Sequence, residues 1–281
     1  MKNLLPFAFI LLFSQCQRAQ NVDISNDLQK KWETPAEFQI PESVKADPGG
    51  KWFYVANISG NPSQHDNSGF ISRISSEGKI MNLHWVDGLD APKGMGIYHD
   101  HLFVSDIDKI VEIDIATAAV VNRYSVDGAV FLNDLDVDDN GCVYVSDSKA
   151  GRIYKLRNGK PELWLQGGDL EGSNGICYRN GQLYIGTGNS ILVADTGKAT
   201  CSVFASGTGP IDGLEAAGQD EFLYSDWSGS VFRIRKNQDK QLLLNTSEAK
   251  MNAADIEYLP DRRWILVPTF SDNRVITYEL K

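Results

Sequence analysis

The 281-residue chain is 42% hydrophobic and 23% charged, the composition of a soluble globular protein long enough for one large all-β domain or two smaller ones. Its net charge of -10 repels a phosphate backbone. No cluster of Lys or Arg interleaved with aromatics offsets that repulsion, so nucleic acid is excluded as a partner.

Residues 1–20, "MKNLLPFAFILLFSQCQRAQ", place a lysine ahead of an apolar run from Leu4 to Phe13, followed by small and polar residues. This pattern predicts a secretory signal, because the run is too short and wrongly flanked for a membrane span. The expected protein is therefore exported: periplasmic, secreted or lipid-anchored in a bacterium. Cys16 stands where a bacterial lipoprotein carries its lipidated cysteine, but Gln15 is larger than the residue usual before it. A lipid anchor and soluble export both stay open. Beyond the signal, Cys142, Cys177 and Cys201 lie in apolar strand contexts with no CxxC spacing, and read as small core residues.

From residue 41 onward one frame repeats: a polar residue, an aliphatic residue two positions later, a tight turn, and an alternating strand. Six segments carry it, beginning "PESV" at 41, "PKGM" at 92, "LNDL" at 132, "SNGI" at 173, "IDGL" at 211 and "AADI" at 253. The aliphatic anchors are Val44, Met95, Leu135, Ile176, Leu214 and Ile256, at spacings of 51, 40, 41, 38 and 42 residues. Two further short strands complete each unit, as in "GRIYKLRNGKPELWLQ" with its "RNGK" hairpin turn. Four short strands per unit and a period near forty predict an all-β, six-bladed β-propeller with four-stranded blades. The last unit has only three strands before Lys281, so "KKWETPAEFQI" at 30 to 40 is expected to supply its outer strand and close the ring. One domain spanning 27–281, and a monomer, are expected; closure leaves no open edge.

In such a ring the first strand of each unit lines the channel. Two positions before the anchors stand Glu42, Lys93, Asn133, Asn174, Asp212 and Ala254. Four of these are oxygen donors at one level, and two carboxylates match a divalent charge, as a hard cation such as calcium requires. Singly, each residue reads equally as turn chemistry in a polar channel or as a ligand; the shared register favours a cation site.

The ordered set, Glu in "PESV", Asn in "LNDLDVDDNG", Asn in "SNGI" and Asp in "IDGL", resembles the gluconolactonase and regucalcin (senescence marker protein) family. It resembles diisopropyl fluorophosphatase and the paraoxonases more distantly. The resemblance spans essentially the whole chain beyond the signal. It implies calcium or a similar divalent ion held by Glu42, Asn133, Asn174 and Asp212, hydrolysis of a small-molecule lactone or ester, and Asp212 as the proton acceptor. Two positions depart from the family: Phe131 stands where sugar-lactone hydrolases often carry an arginine, and Lys93 brings a positive charge beside the ion, where it can bind a substrate anion.

Connections after the second strands return to the same mouth. The longest, "NISGNPSQHDNSG", brings His65 over the channel, and "SDWSG" brings Trp227, an expected apolar wall. Asp106 and Asp147 read as turn caps. No GxSxG or HExxH motif is present, and the four histidines form no zinc spacing. The alternative to a hydrolase is a non-catalytic propeller of the NHL type that binds a ligand or protein, with the ion serving structure alone.

Overall fold

The computed structural model describes residues 22–281, so the signal at 1–20 and Cys16 lie outside the described residues. The alternating runs between tight turns form six antiparallel sheets around one axis. The inner strands are Pro41–Ala46, Pro92–Tyr98, Leu132–Val137, Ile176–Arg179, Leu214–Gly218 and Glu257–Leu259. Five of them begin a meander of four and the sixth a meander of three that an N-terminal strand completes, which is the expected six-bladed propeller. Among the described residues no helix is long and apolar enough to cross a membrane.

Closure follows the expected route with a shifted boundary. Leu28–Glu33 pairs with Val275–Leu280 as the outer strand of blade six, Leu28 opposite Leu280 and Glu33 opposite Ile276. The strand starts earlier than the sequence suggests and stops at Thr34, whose N–H reaches Val275 O at 3.0 Å. Pro35 has no N–H to continue the ladder, and the chain turns inward to bury Phe38 against Val44 and Phe53. A short strand, Asp23–Ile24, also pairs with Gln241–Asn245 and gives blade five a fifth strand.

The core is a ring of six apolar clusters, each set between two consecutive blades. All six anchors lie in them, at 2–3% exposure: Val44 between blades six and one, Met95 between one and two, and so on to Ile256 between five and six. This placement explains the repeat, since an isolated blade has no partner for its faces. Cys142 and Cys177 are buried as expected, whereas Cys201 is exposed on an outer strand, and none is bonded.

Every inner strand carries an extra residue at its start. Pro92 faces Asp106 but Met95 faces Val104; Leu132 faces Asp147 but Leu135 faces Val145. In blade five Asp212 N donates to Ser225 O while Ser225 N donates to Gly213 O, so two residues oppose one. Such bulges bend a strand and re-aim its side chains. Here they allow the residues two and one before the anchor to belong to the channel together.

Space at the second of these levels is so tight that three of its six residues are glycine. A Cβ on Gly213 would lie 2.4 Å from Ile256 N and 2.6 Å from Asp255 Oδ1; one on Gly94 would lie 2.5 Å from Asp134 Cα. Gly213→Ala is expected to destabilise the protein by about 1–3 kcal/mol, since backbone must move. Urea unfolding of the variant checks this, and an unchanged midpoint would contradict the packing described.

Candidate functional site

The bulges bring Glu42, Lys93, Asn133 and Asp212 to the floor of one cavity of about 250 Å³ at the channel mouth. All four are buried, at 1–8% exposure. Asn174 stands beside them, its Nδ2 donating to Asp212 Oδ1 at 2.5 Å. Asn133 donates Nδ2 to Ser148 Oγ at 3.1 Å. Thus the structure brings together the four oxygen donors and Lys93, which the repeat register had aligned.

The two carboxylates are incompletely satisfied. Glu42 Oε2 and Asp212 Oδ2 are both buried without a hydrogen-bond partner among the described residues. An unpaired buried carboxylate oxygen is costly, and each group responds by favouring its proton. Burial, then the neighbouring Asp212, holds Glu42 well above the usual carboxylate range, although Lys93 acts in the opposite direction. Burial likewise pushes Asp212 up to about 7, against the bond from Asn174. Lys93 does not relieve them: its Nζ donates to Ala91 O at 2.9 Å and lies 4.4 Å from the centre of the Phe131 ring. Burial lowers the Lys93 ammonium to about 8, with Glu42 opposing the shift.

The walls are apolar. Ile58, Pro62, Phe131, Trp227 and Phe270 rise above the polar floor, and Trp227 meets Phe270 edge to face at 5.5 Å. Trp227 is placed as expected, 51% exposed at the rim. Phe270 and Lys149 were not singled out in the sequence. Phe270 sits in "PTFSDN", a rim connection, and its position there was the available signal.

His65 is elsewhere. It does not line the cavity; its Nδ1 lies 2.9 Å from Asp90 Oδ2, and Asn67 N donates to Asp90 Oδ1 at 3.1 Å. Pro62, from the same connection, faces the cavity in its place. Asp90 is thus the anchor of the long loop, bonded also by Lys109 Nζ at 2.8 Å. Burial alone would raise its pKa, but the bonds from Lys109, His65 and Asn67 outweigh that and bring it down to about 2. A depressed carboxylate pKa contributes stability that is present above the unfolded value and lost as pH falls through the folded one. Asp90→Asn is therefore expected to cost on the order of 1 kcal/mol near pH 6, after allowance for solvent screening. The difference from wild type should close as pH falls toward about 2; urea titrations across this range read it.

Asp106 and Asp147 are turn caps, as read from the sequence. Asp106 accepts from Asp90 N and Ala91 N, and Asp147 from Val130 N and Phe131 N. Two serines that precede second-strand aspartates join blades: Ser105 Oγ, before Asp106, donates to Asn133 O, and Ser225 Oγ, before Asp226, to Ala254 O.

A lower polar level lies one residue after the anchors. Lys45 Nζ there meets Glu257 Oε2 at 2.8 Å and Glu215 Oε1 at 3.6 Å. Asp136 stands in the same register and accepts Tyr178 N at 2.7 Å. Burial opposes the Lys45 charge, but Glu257, Glu215 and Asp136 together hold its pKa well above the ordinary lysine value. The signal was present: the register that aligned Glu42 with Asp212 also aligns Lys45, Asp136, Glu215 and Glu257. Removing one member of a largely buried charge network strands the others. Lys45→Met is expected to destabilise by about 3 kcal/mol, with partial recovery in the Lys45→Met, Glu257→Gln double variant. Chemical denaturation at pH 7 distinguishes this from mere loss of packing, which the second change would not restore.

No protein-family model matches the sequence, and no curated protein matches it. Solved structures do resemble its fold. A catalytically inactive virginiamycin B lyase variant from Staphylococcus aureus, crystallised with quinupristin, aligns with a TM-score of 0.65 at 12% identity over 93% of this chain and 100% of its own. A streptogramin B lyase aligns at 0.65 and 15% identity, over 90% of this chain and 97% of its own. A chain of the nidogen/laminin complex aligns at 0.60 and 18% identity, over 74% and 83%. At these identities the likeness is one of fold.

Proposed function

We propose that the chain is an exported, divalent-cation-dependent hydrolase of lactones or related esters, working in the cavity above Glu42 and Asp212. The observation that carries the reading is the pair of buried, partnerless oxygens, Glu42 Oε2 and Asp212 Oδ2, at one cavity floor. Two carboxylates and two amide-bearing residues at one level suit calcium or a similar hard cation, with Glu42, Asn133, Asn174 and Asp212 as its holders. When bound, the ion supplies Lewis-acid polarisation of the ester carbonyl.

The side chains supply the remaining work. With its proton displaced, Asp212 accepts a proton from the water whose oxygen attacks the acyl carbon. The acyl–oxygen bond then breaks, and the leaving alkoxide recovers that proton from Asp212, giving a carboxylic acid and a hydroxyl group. Lys93 offers its ammonium to negative charge on the substrate, and Trp227 with Phe270 limits water at the mouth.

The likeness in fold to the virginiamycin B and streptogramin B lyases supports the propeller and contributes nothing about residues. A second reading, a non-catalytic binding propeller, draws on the lysine within the ring and on the fold shared with a chain of the nidogen/laminin complex.

Calcium is expected to raise the melting temperature of the protein, and Glu42→Gln and Asp212→Asn to abolish that response. Asp212→Asn should also lower kcat on a responsive lactone by about 10²–10⁴-fold, the range for losing a general base. Calcium stabilisation without turnover of any lactone, ester or phosphotriester would favour the binding propeller. The absence of any calcium response would remove the cation.

A further inference from the structure

The cavity sorts its chemistry by height. Below lie charged and amide groups; above lie Ile58, Pro62, Phe131, Trp227 and Phe270, whose faces offer contact area and few hydrogen bonds. A polyhydroxylated ligand would have to bury its hydroxyls against these walls without partners, at a cost in affinity. An apolar body would instead cover the half-exposed Trp227 and fill the angle it makes with Phe270. At about 250 Å³ the space lies below the ~300–1,000 Å³ of sites for drug-sized ligands, so the ligand is small.

Two ammonium groups set its charge. Lys93 Nζ and Lys149 Nζ lie 4.4 Å and 4.3 Å from the centre of the same Phe131 ring. Among the described residues Lys93 Nζ donates one hydrogen bond, to Ala91 O, and has no carboxylate within ion-pair distance. Lys149 reaches across to Ser63 Oγ of the long loop at 3.3 Å, which sets its charge between that loop and Phe131. Once a divalent ion offsets Glu42 and Asp212, these two lysines leave the mouth locally positive on a protein whose net charge is -10. That is a local anion site in a molecule that otherwise repels anions.

We infer that this cavity takes small amphipathic carboxylates, an aromatic or branched apolar body bearing one anionic group, so that its substrates are esters or lactones of that class. The inference rests on the cation reading above for its charge balance. Trp227 and Phe270 hold the apolar body, while Lys93 and Lys149, both against the Phe131 ring, receive the carboxylate.

Calorimetric titration of the protein in calcium with 4-phenylbutyrate, 4-phenylbutanol and gluconate tests it without requiring turnover. 4-Phenylbutyrate is expected to bind at least tenfold more tightly than the other two. Lys149→Met, at an exposed site, should bring 4-phenylbutyrate toward the affinity of the alcohol. Trp227→Ala should weaken both phenyl compounds and leave their ratio. Equal binding of the alcohol would overturn the anionic requirement, and gluconate binding as tightly as 4-phenylbutyrate would overturn the apolar one. Failure of all three probes to bind would overturn the inference entirely. Selective 4-phenylbutyrate binding without hydrolysis of any ester would instead remove the hydrolase and keep the ligand class; selectivity unchanged by chelator would remove the cation.

Discussion

Hydrogen bonds cross every seam between the six blades near the axis, and the cavity floor takes its shape from how those bonds are made. Ser43 Oγ donates to Lys93 O, Ser105 Oγ to Asn133 O, Ile176 N to Asp134 Oδ2, Asn174 Nδ2 to Asp212 Oδ1, Ser225 Oγ to Ala254 O, and Asp255 N to Glu42 O. Every seam therefore passes through a residue one or two before an anchor. The bulge at the start of each inner strand supplies the extra residue that this requires. Without it, strict alternation would turn one of each pair back into the blade.

That geometry concentrates charge on the axis. Glu42 and Asp212 lie at the first level, Asp134 and Asp255 at the second, and Asp136, Glu215 and Glu257 below, against the ammonium groups of Lys93 and Lys45. The lower carboxylates are the better satisfied, by Lys45 and by backbone N–H groups. Burial pushes Asp134 up to about 7 even though it accepts from Ile176 N. The unmet demand for positive charge increases toward the mouth, where Lys93 is turned to a carbonyl and the two orphan oxygens face the cavity. A cation entering from that side meets the place where the fold is least compensated.

Much of this was legible in the sequence because a ring turns register into height. The aliphatic anchors fixed six equivalent positions, and the residues two before them proved to be neighbours in space. Register alone says nothing about loops, however. His65 and Pro62 share one connection, and which of them faces the cavity is decided by Asp90, whose charge captures the imidazole and an N–H from the following turn. Phe131 was legible as a missing arginine, but its contact with two lysines depends on side-chain packing that no repeat encodes. The Lys45 level was legible by the same rule as the first, one residue after each anchor instead of two before it.

The seam between blades four and five differs from the other five in consequence. It is the one made by two candidate ligands, with the Asn174 amide already committed as a donor to Asp212. For Asn174 to offer its carbonyl oxygen to an ion, the amide must rotate and release that bond, so the ion has to replace the seam it disrupts. Once there, it would join Asn174 to Asp212 through itself and extend the link to Glu42 and Asn133, on blades one and three. On the proposed reading, cation binding at this ring would be coupled to the cohesion of four blades, whereas without the ion Asn174 and Asp212 are joined by their own amide–carboxylate bond. A site built this way would bind through residues that also hold the propeller together, so any chemistry at Asp212 would be inseparable from its part in the seam.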